Sequence, residues 1–180
     1  MKPRIITHLT LISVVMLTAG SATYVLAQAQ PDFHLEVTIV TGEHSRDSNS
    51  TTRTLTVAPG RLVYKETYRG AHAGRAPAQK EFKLATEDEP DLIALLKSEN
   101  LLRTKTISQP PTQKGTSRYF ELAIFSAFQG KENRVTIEAG PAAEDLKTNS
   151  LYQGSVSLIE RLYKIMNRTD PDLTAPTLIN

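Results

Sequence analysis

Polar and apolar positions alternate in short runs along much of the chain. Residues 33–41 (FHLEVTIVT) put Phe33, Leu35, Val37 and Ile39 on one side and His34, Glu36 and Thr38 on the other. That is the period of a half-buried strand. Residues 51–57 (TTRTLTV) are rich in β-branched side chains, and 61–69 (RLVYKETYR) follow across Pro59-Gly60. The pair predicts a hairpin. A short strand resumes at 80–84, with Phe82 and Leu84 on one face. The clearest strand is 118–128 (RYFELAIFSAF), with Phe120, Leu122, Ile124 and Phe128 together. It turns at Gln129-Gly130 into a strand over 134–139 with Val135 and Ile137 inward, a second hairpin.

The period changes to a helical one twice. Thr86 and Glu89 have capping-box spacing, and Glu87, Asp88 and Glu89 suit the positive start of a helix. Pro90 is tolerable in the first turn. Leu92, Leu95 and Leu96 form the apolar stripe, and Asn100 ends the helix. The second helix spans 150–167, where Val156, Ile159, Leu162, Tyr163 and Met166 recur at the helical period; Gly154 weakens its first turn. Segments 42–50, 70–79 and 103–117 carry Gly, Pro and polar residues and read as loops. Strands joined by short turns favour antiparallel pairing. The expected fold is α+β: an antiparallel sheet of five to six strands, two hairpins plus short strands, with two amphipathic helices packed on one face. It forms a single domain over 33–168, followed by a flexible C-terminal tail, 169–180.

The first 29 residues stand apart. Lys2 and Arg4 precede a mostly apolar stretch, and Ala27-Gln28-Ala29 supplies the small-x-small pattern of a cleavage site. This is the pattern of a secretory signal peptide. Cleavage after Ala29 leaves Gln30 as the new N terminus; Ala27 is the second candidate site, and a retained anchor is the alternative. The expected location is periplasmic or secreted. With 180 residues and 39% hydrophobic composition, the remainder suits one globular domain.

Charge and cysteine content narrow the partners. The formal charge is +2, and losing Lys2 and Arg4 with the signal leaves cations and acids in balance. Cations alternate with acids instead of clustering, so nucleic acid is not an expected partner. There is no Cys. A lipid anchor on a processed cysteine, disulfides, thiol catalysis and cysteine-ligated zinc or iron–sulfur centres are all excluded.

No phosphate-binding glycine loop, nucleophile elbow or paired-histidine zinc motif occurs. The expectation is therefore a protein without enzymatic activity, cofactor or metal. Beyond the signal the chain has His34, His44 and His72; His44 lies between Glu43 and Asp47, and all three read as solvated. Glu87, Asp88, Glu89 and Asp91 are explained by the helix dipole. Glu66 falls on the strand side that points inward, where a buried carboxyl would be a candidate acid. Tyr64, Tyr68 and Tyr119 form a candidate binding surface if the open sheet face carries them. The candidate binding residues are thus His44, Tyr64, Tyr68 and His72. Asn49-Ser50-Thr51 and Asn167-Arg168-Thr169 are glycosylation sequons.

From residue 35 to residue 162 the order of elements resembles emfourin-like domains, small bacterial inhibitors of thermolysin-type metalloproteases. A first strand runs into a glycine-containing loop, a leucine-rich helix ends in LLKSENLL, SRYFELAIF pairs with RVTIEA, and a helix closes the domain. The Gly-Gly-Phe-Ala-Gly-type loop of that family is replaced here by Thr41-Gly42-Glu43-His44-Ser45, so the resemblance carries over no inhibitory residue. It implies an exported protein-binding module of protease-inhibitor type. The alternative is a domain that binds a small ligand or the cell envelope through a tyrosine-bearing sheet face. Membrane contact is expected only through the transient signal segment.

Overall fold

The computed structural model describes residues 33–43, 49–109, 118–139 and 144–178. The signal segment with Ala27 and Ala29, and His44, lie outside these residues. The strands are β1 (His34–Glu43), β2 (Ser50–Ala58), β3 (Arg61–Tyr68), β4 (Ala78–Lys83), β5 (Lys105–Gln109), β6 (Arg118–Phe128) and β7 (Lys131–Ala139). The helices are α1 (Asp88–Ser98), the one-turn α2 (Glu144–Lys147) and α3 (Ser150–Met166). The fold is α+β with a single sheet in the order β4-β3-β2-β1-β6-β7-β5.

Two features correct the expected architecture. The sheet has seven strands, and it is mixed: β5 runs parallel to β7, pairing Lys105 with Val135 and Gln109 with Ala139. β5 lies inside the segment read as a loop. Its five residues, KTISQ, have no adjacent turn partner, so no hairpin signal announces them.

The alternation read from the sequence decides the two faces. Leu35, Val37, Ile39, Leu55, Val57, Leu62, Leu122, Ile124, Val135 and Ile137 are buried beneath the helices. The open face is rich in threonine: Thr38, Thr52, Thr54, Thr56 and Thr136 are half-buried on it. Gln129 and Gly130 close the β6–β7 turn with φ of 52° and 72°. Two consecutive positive φ values match the twist of a tight hairpin.

α1 begins differently from the capping-box expectation. Glu87 precedes it in helical conformation without a side-chain cap. Asp88 does the capping from inside the helix, its Oδ2 accepting the Ala85 N–H at 2.8 Å. At the other end Asn100 takes φ 57°, the Asn100 N–H reaches the Lys97 carbonyl, and the Leu101 N–H reaches Leu96. This is a left-handed helix stop with Leu101 buried behind it. α3 is capped by Asn149, whose Oδ1 accepts from Leu151 N at 2.9 Å and Tyr152 N at 3.4 Å.

α1 and α3 lie antiparallel, clasped at both ends. A Cβ on Gly154 would stand 2.7 Å from Glu99 Cβ, so only glycine lets the start of α3 approach the end of α1 so closely. At the opposite end Arg168 grips Asp88 with both guanidinium nitrogens, at 2.7 and 2.8 Å. Arg161 adds a 2.6 Å contact to Asp91. The C-terminal segment, read as a free tail, is seated over residues 169–178. Asp170 pairs with Lys80 of β4, and Leu173 and Leu178 pack against the core. No described helix is long and apolar enough to cross a membrane.

Candidate functional site

The strand register sorts the connections by length. Ala58 pairs with Arg61, Phe128 with Lys131, and Arg61 with Lys83. One end of the sheet therefore carries the two tight turns and the β4–α1–β5 connection. At the other end Glu43 stands opposite Arg118, Thr51 opposite Tyr68, Glu66 opposite Ala78, and Gln109 opposite Ala139. The connections 44–49, 69–77 and 110–117 leave from this second end, whereas the longest connection between strands, 84–104 with α1, leaves from the first.

The connection after β3 is folded and anchored. Residues Gly70–His72 form one 3₁₀ turn. Asn49 holds it: its Oδ1 accepts the Ala71 N–H at 2.7 Å, and its Nδ2 donates to Glu43 Oε2 at 3.3 Å. Gly70, at φ 66°, lies so close that a Cβ would meet Asn49 Oδ1 at 2.3 Å. The Arg69 N–H donates to the Ser50 carbonyl, and the Arg75 guanidinium lies 5.6 Å over the Tyr68 ring. Residues 69–77 are nearly all exposed. The result is a projecting loop of small side chains on a fixed base.

Beside this loop is a cavity of about 400 Å³. Thr41, Glu43, Asn49, Arg53, His72 and Tyr119 line it, and residues 176–178 of the C-terminal segment form one wall. Arg53 is a half-buried cation of this site, its side chain 22% exposed. Its Nη2 lies 3.0 Å from Glu66 Oε1, and its Nη1 donates to Thr41 Oγ1 at 3.3 Å. The Tyr64 hydroxyl donates to the other Glu66 oxygen at 2.7 Å. Burial, and then this hydrogen bond to a carboxylate, push the Tyr64 hydroxyl far up from its ordinary pKa. Tyr163 meets the Tyr64 ring edge-on at 6.4 Å. Its hydroxyl is buried near that of Tyr64, and burial raises its pKa as well.

The expected site residues separate on this frame. His72 is exposed and lines the cavity. Tyr64 is 3% exposed and lies under the helices, which corrects its place in a sheet-face binding surface. Tyr68 is on the same covered side, at the end of β3 and beneath Arg75. Tyr119 lies across Gly42 at the rim, its hydroxyl donating to Glu121 Oε2 at 3.2 Å. Glu66 does point inward, but it accepts on both oxygens, from Arg53 and Tyr64. Both of its oxygens are thus engaged within the fold. Asn49 has its side chain fully engaged in holding the loop.

Arg53 and Asn49 escaped the sequence reading. A signal for Arg53 existed. The two-residue turn that pairs Ala58 with Arg61 sets Arg53 opposite Glu66 when the register is counted back. A charged residue facing a carboxylate on the apolar side of a hairpin predicts an ion pair. Asn49 carried no such signal, because the backbone N–H it holds, that of Ala71, belongs to a glycine-containing loop distant in sequence. Among the described residues no group of three or more His, Asp or Glu is placed to hold a metal ion. No protein-family model matches this chain, and no curated protein matches its sequence.

Proposed function

We propose that this chain is an exported, non-enzymatic binding module that holds another protein at the loop end of its sheet. The observation that carries this reading is the gathering of three helix-free connections, 44–49, 69–77 and 110–117, at one end of the sheet. A rigid sheet that gathers its variable segments on one side is the usual arrangement of a recognition surface. The loop at 69–77 suits the role, because its exposed backbone is held by Asn49 before any partner arrives. A pre-ordered loop loses less entropy on binding.

The test is a crosslinking pull-down with the mature chain, residues 30–180, against exported proteins of its own host. One dominant partner is expected. Alanine blocks at 44–48, 71–76 and 111–116 then separate the surface from the scaffold. At least one block should abolish capture while leaving thermal unfolding unchanged. Undiminished capture by all three would end the proposal. If the partner is a metalloprotease, loss of its activity on mixing extends the reading to inhibition.

A further inference from the structure

The C-terminal segment is seated on the fold by few bonds. Asp170 pairs with Lys80, whose side chain is 49% exposed, and a pair so open to solvent holds weakly. The Leu173 N–H reaches the Asp170 carbonyl at 3.3 Å. Beyond it, residues 174–178 form no hydrogen bond with another described residue. What holds them is apolar contact. Leu173 and Leu178 pack against the core, and residues 175–178 lie alongside Tyr152, Val156 and Ile159 of α3. The fit there is loose. A cavity of about 280 Å³ remains between the segment and this flank of α3. Close-packed interiors leave few voids larger than a water molecule. Removing the segment would leave an apolar groove in which Tyr152 and Ile159, now buried, lose their cover.

We propose that this flank of α3 is a docking groove for an extended, uncharged segment of a partner protein, and that residues 173–178 occupy it in cis until such a segment displaces them. The chemistry of the partner is read from the occupant already seated: two leucines and a proline within six residues, none of them charged. The present occupant leaves space unfilled, so a segment that fills the groove better gains contacts that the cis segment does not make. A proline restricts the extended chain before it docks, which lowers the entropic cost of binding. The groove uses different residues from the loops at 44–49, 69–77 and 110–117, so this proposal and the reading of those loops can fail independently.

The experiment is a nuclear magnetic resonance titration of the mature chain, residues 30–180, with two synthetic peptides. One has the sequence of residues 169–180. The other keeps only its two leucines and its proline, at the same spacing, in a serine background. In the double variant Leu173→Asp, Leu178→Asp the cis segment should be released while the sheet signals stay in place. Both peptides should then give saturable shifts at Tyr152, Val156 and Ile159, at least tenfold tighter than in the parent, because the groove is no longer occupied. Lys80→Ala, a surface change that keeps the test open if the double variant loses its fold, should strengthen binding about threefold. No saturable shift in a variant whose segment is released overturns the proposal, as does equal affinity in the parent and both variants. Binding of the first peptide alone, or a dimer formed by exchange of the segment between copies and seen in sedimentation, assigns the groove to this chain's own tail and overturns the partner reading.

Discussion

Two carboxylate–guanidinium pairs sit under the helices of this fold, and they differ in what surrounds them. At one end of the helix layer Asp88 is completely buried, with Arg168 on both oxygens, the Ala85 N–H on one, and Arg161 at 3.7 Å. Every acceptor site that matters is filled by the protein itself. In the second pair Glu66 and Arg53 are 16% and 22% exposed, and Arg53 lines a cavity. The first pair is closed and joins α1 to the end of α3. The second is open, and it leaves hydrogen-bonding capacity for something else. The same two chemical groups thus form a closed junction in one place and an open one in the other, and solvent access is what separates them.

The difference can be broken most sharply at the closed pair. Asp88→Ala removes four interactions from the junction of α1 and α3, and should cost about 3 kcal/mol in urea unfolding. The cost stays below that of a fully buried orphaned charge, because the Arg168 side chain is 42% exposed and can turn to water. Asp88 also makes the fold sensitive to acid. Burial alone would raise its pKa, but the Arg168 hydrogen bonds, the Ala85 N–H and the two arginine charges outweigh it and hold the carboxyl below its ordinary value. A lowered folded-state pKa stabilises the fold above the unfolded value, about 3.9, and that contribution is lost as pH falls below it. Asp88→Asn should abolish this acid step in a plot of stability against pH.

Gly154→Ala tests the other clasp of the helix pair. The new methyl would meet Glu99 Cβ at 2.7 Å and the Glu99 carbonyl at 3.2 Å. A loss of about 2 kcal/mol is expected in thermal or urea unfolding, although alanine is the better helix former. A neutral or stabilising result would mean that α1 and α3 can part without cost.

The open pair should respond more weakly in stability and more strongly in binding. Glu66→Gln keeps the shape and a partner for Tyr64, and should cost about 1 kcal/mol in urea unfolding. It also leaves Arg53 without its counter-charge. The variant should therefore acquire binding of inorganic phosphate that the parent lacks, read by titration. The smallest effect is expected at the cavity wall. Leu178→Ala, at a half-buried position, should cost about 0.5 kcal/mol in the same unfolding measurement.

What the sequence revealed followed period and proximity. β6 was legible over its whole length because Phe120, Leu122 and Ile124 alternate without interruption, and the structure places it at Arg118–Phe128. α3 was legible from Ile159, Leu162, Tyr163 and Met166, all buried. Asn100 was legible as a helix stop, since a short polar side chain tolerates positive φ. β5 was hidden because a parallel edge strand depends on a partner far along the chain. Asp88 was read as one of four acids favouring a helix dipole. Nothing local distinguishes it from Glu87 or Glu89; only Arg168, eighty residues later, does so. The loop end was visible as three long connections. That they share one end follows from the strand order, which no single segment encodes.

The central position of β1 has a consequence for how the chain reaches this structure. β1 pairs with β2 next to it in sequence, but its other edge pairs with β6, joining His34 to Ala127 and Glu43 to Arg118. Until β6 exists, one edge of an apolar, β-branched strand has nothing to bind. A chain emerging from its N terminus passes through a long interval with that edge open, and contacts so distant in sequence form slowly. Without cysteines, no disulfide can bring the two halves together early. Such a chain cannot complete its sheet until β6 has emerged, and the open edge exposes it to aggregation if release is delayed.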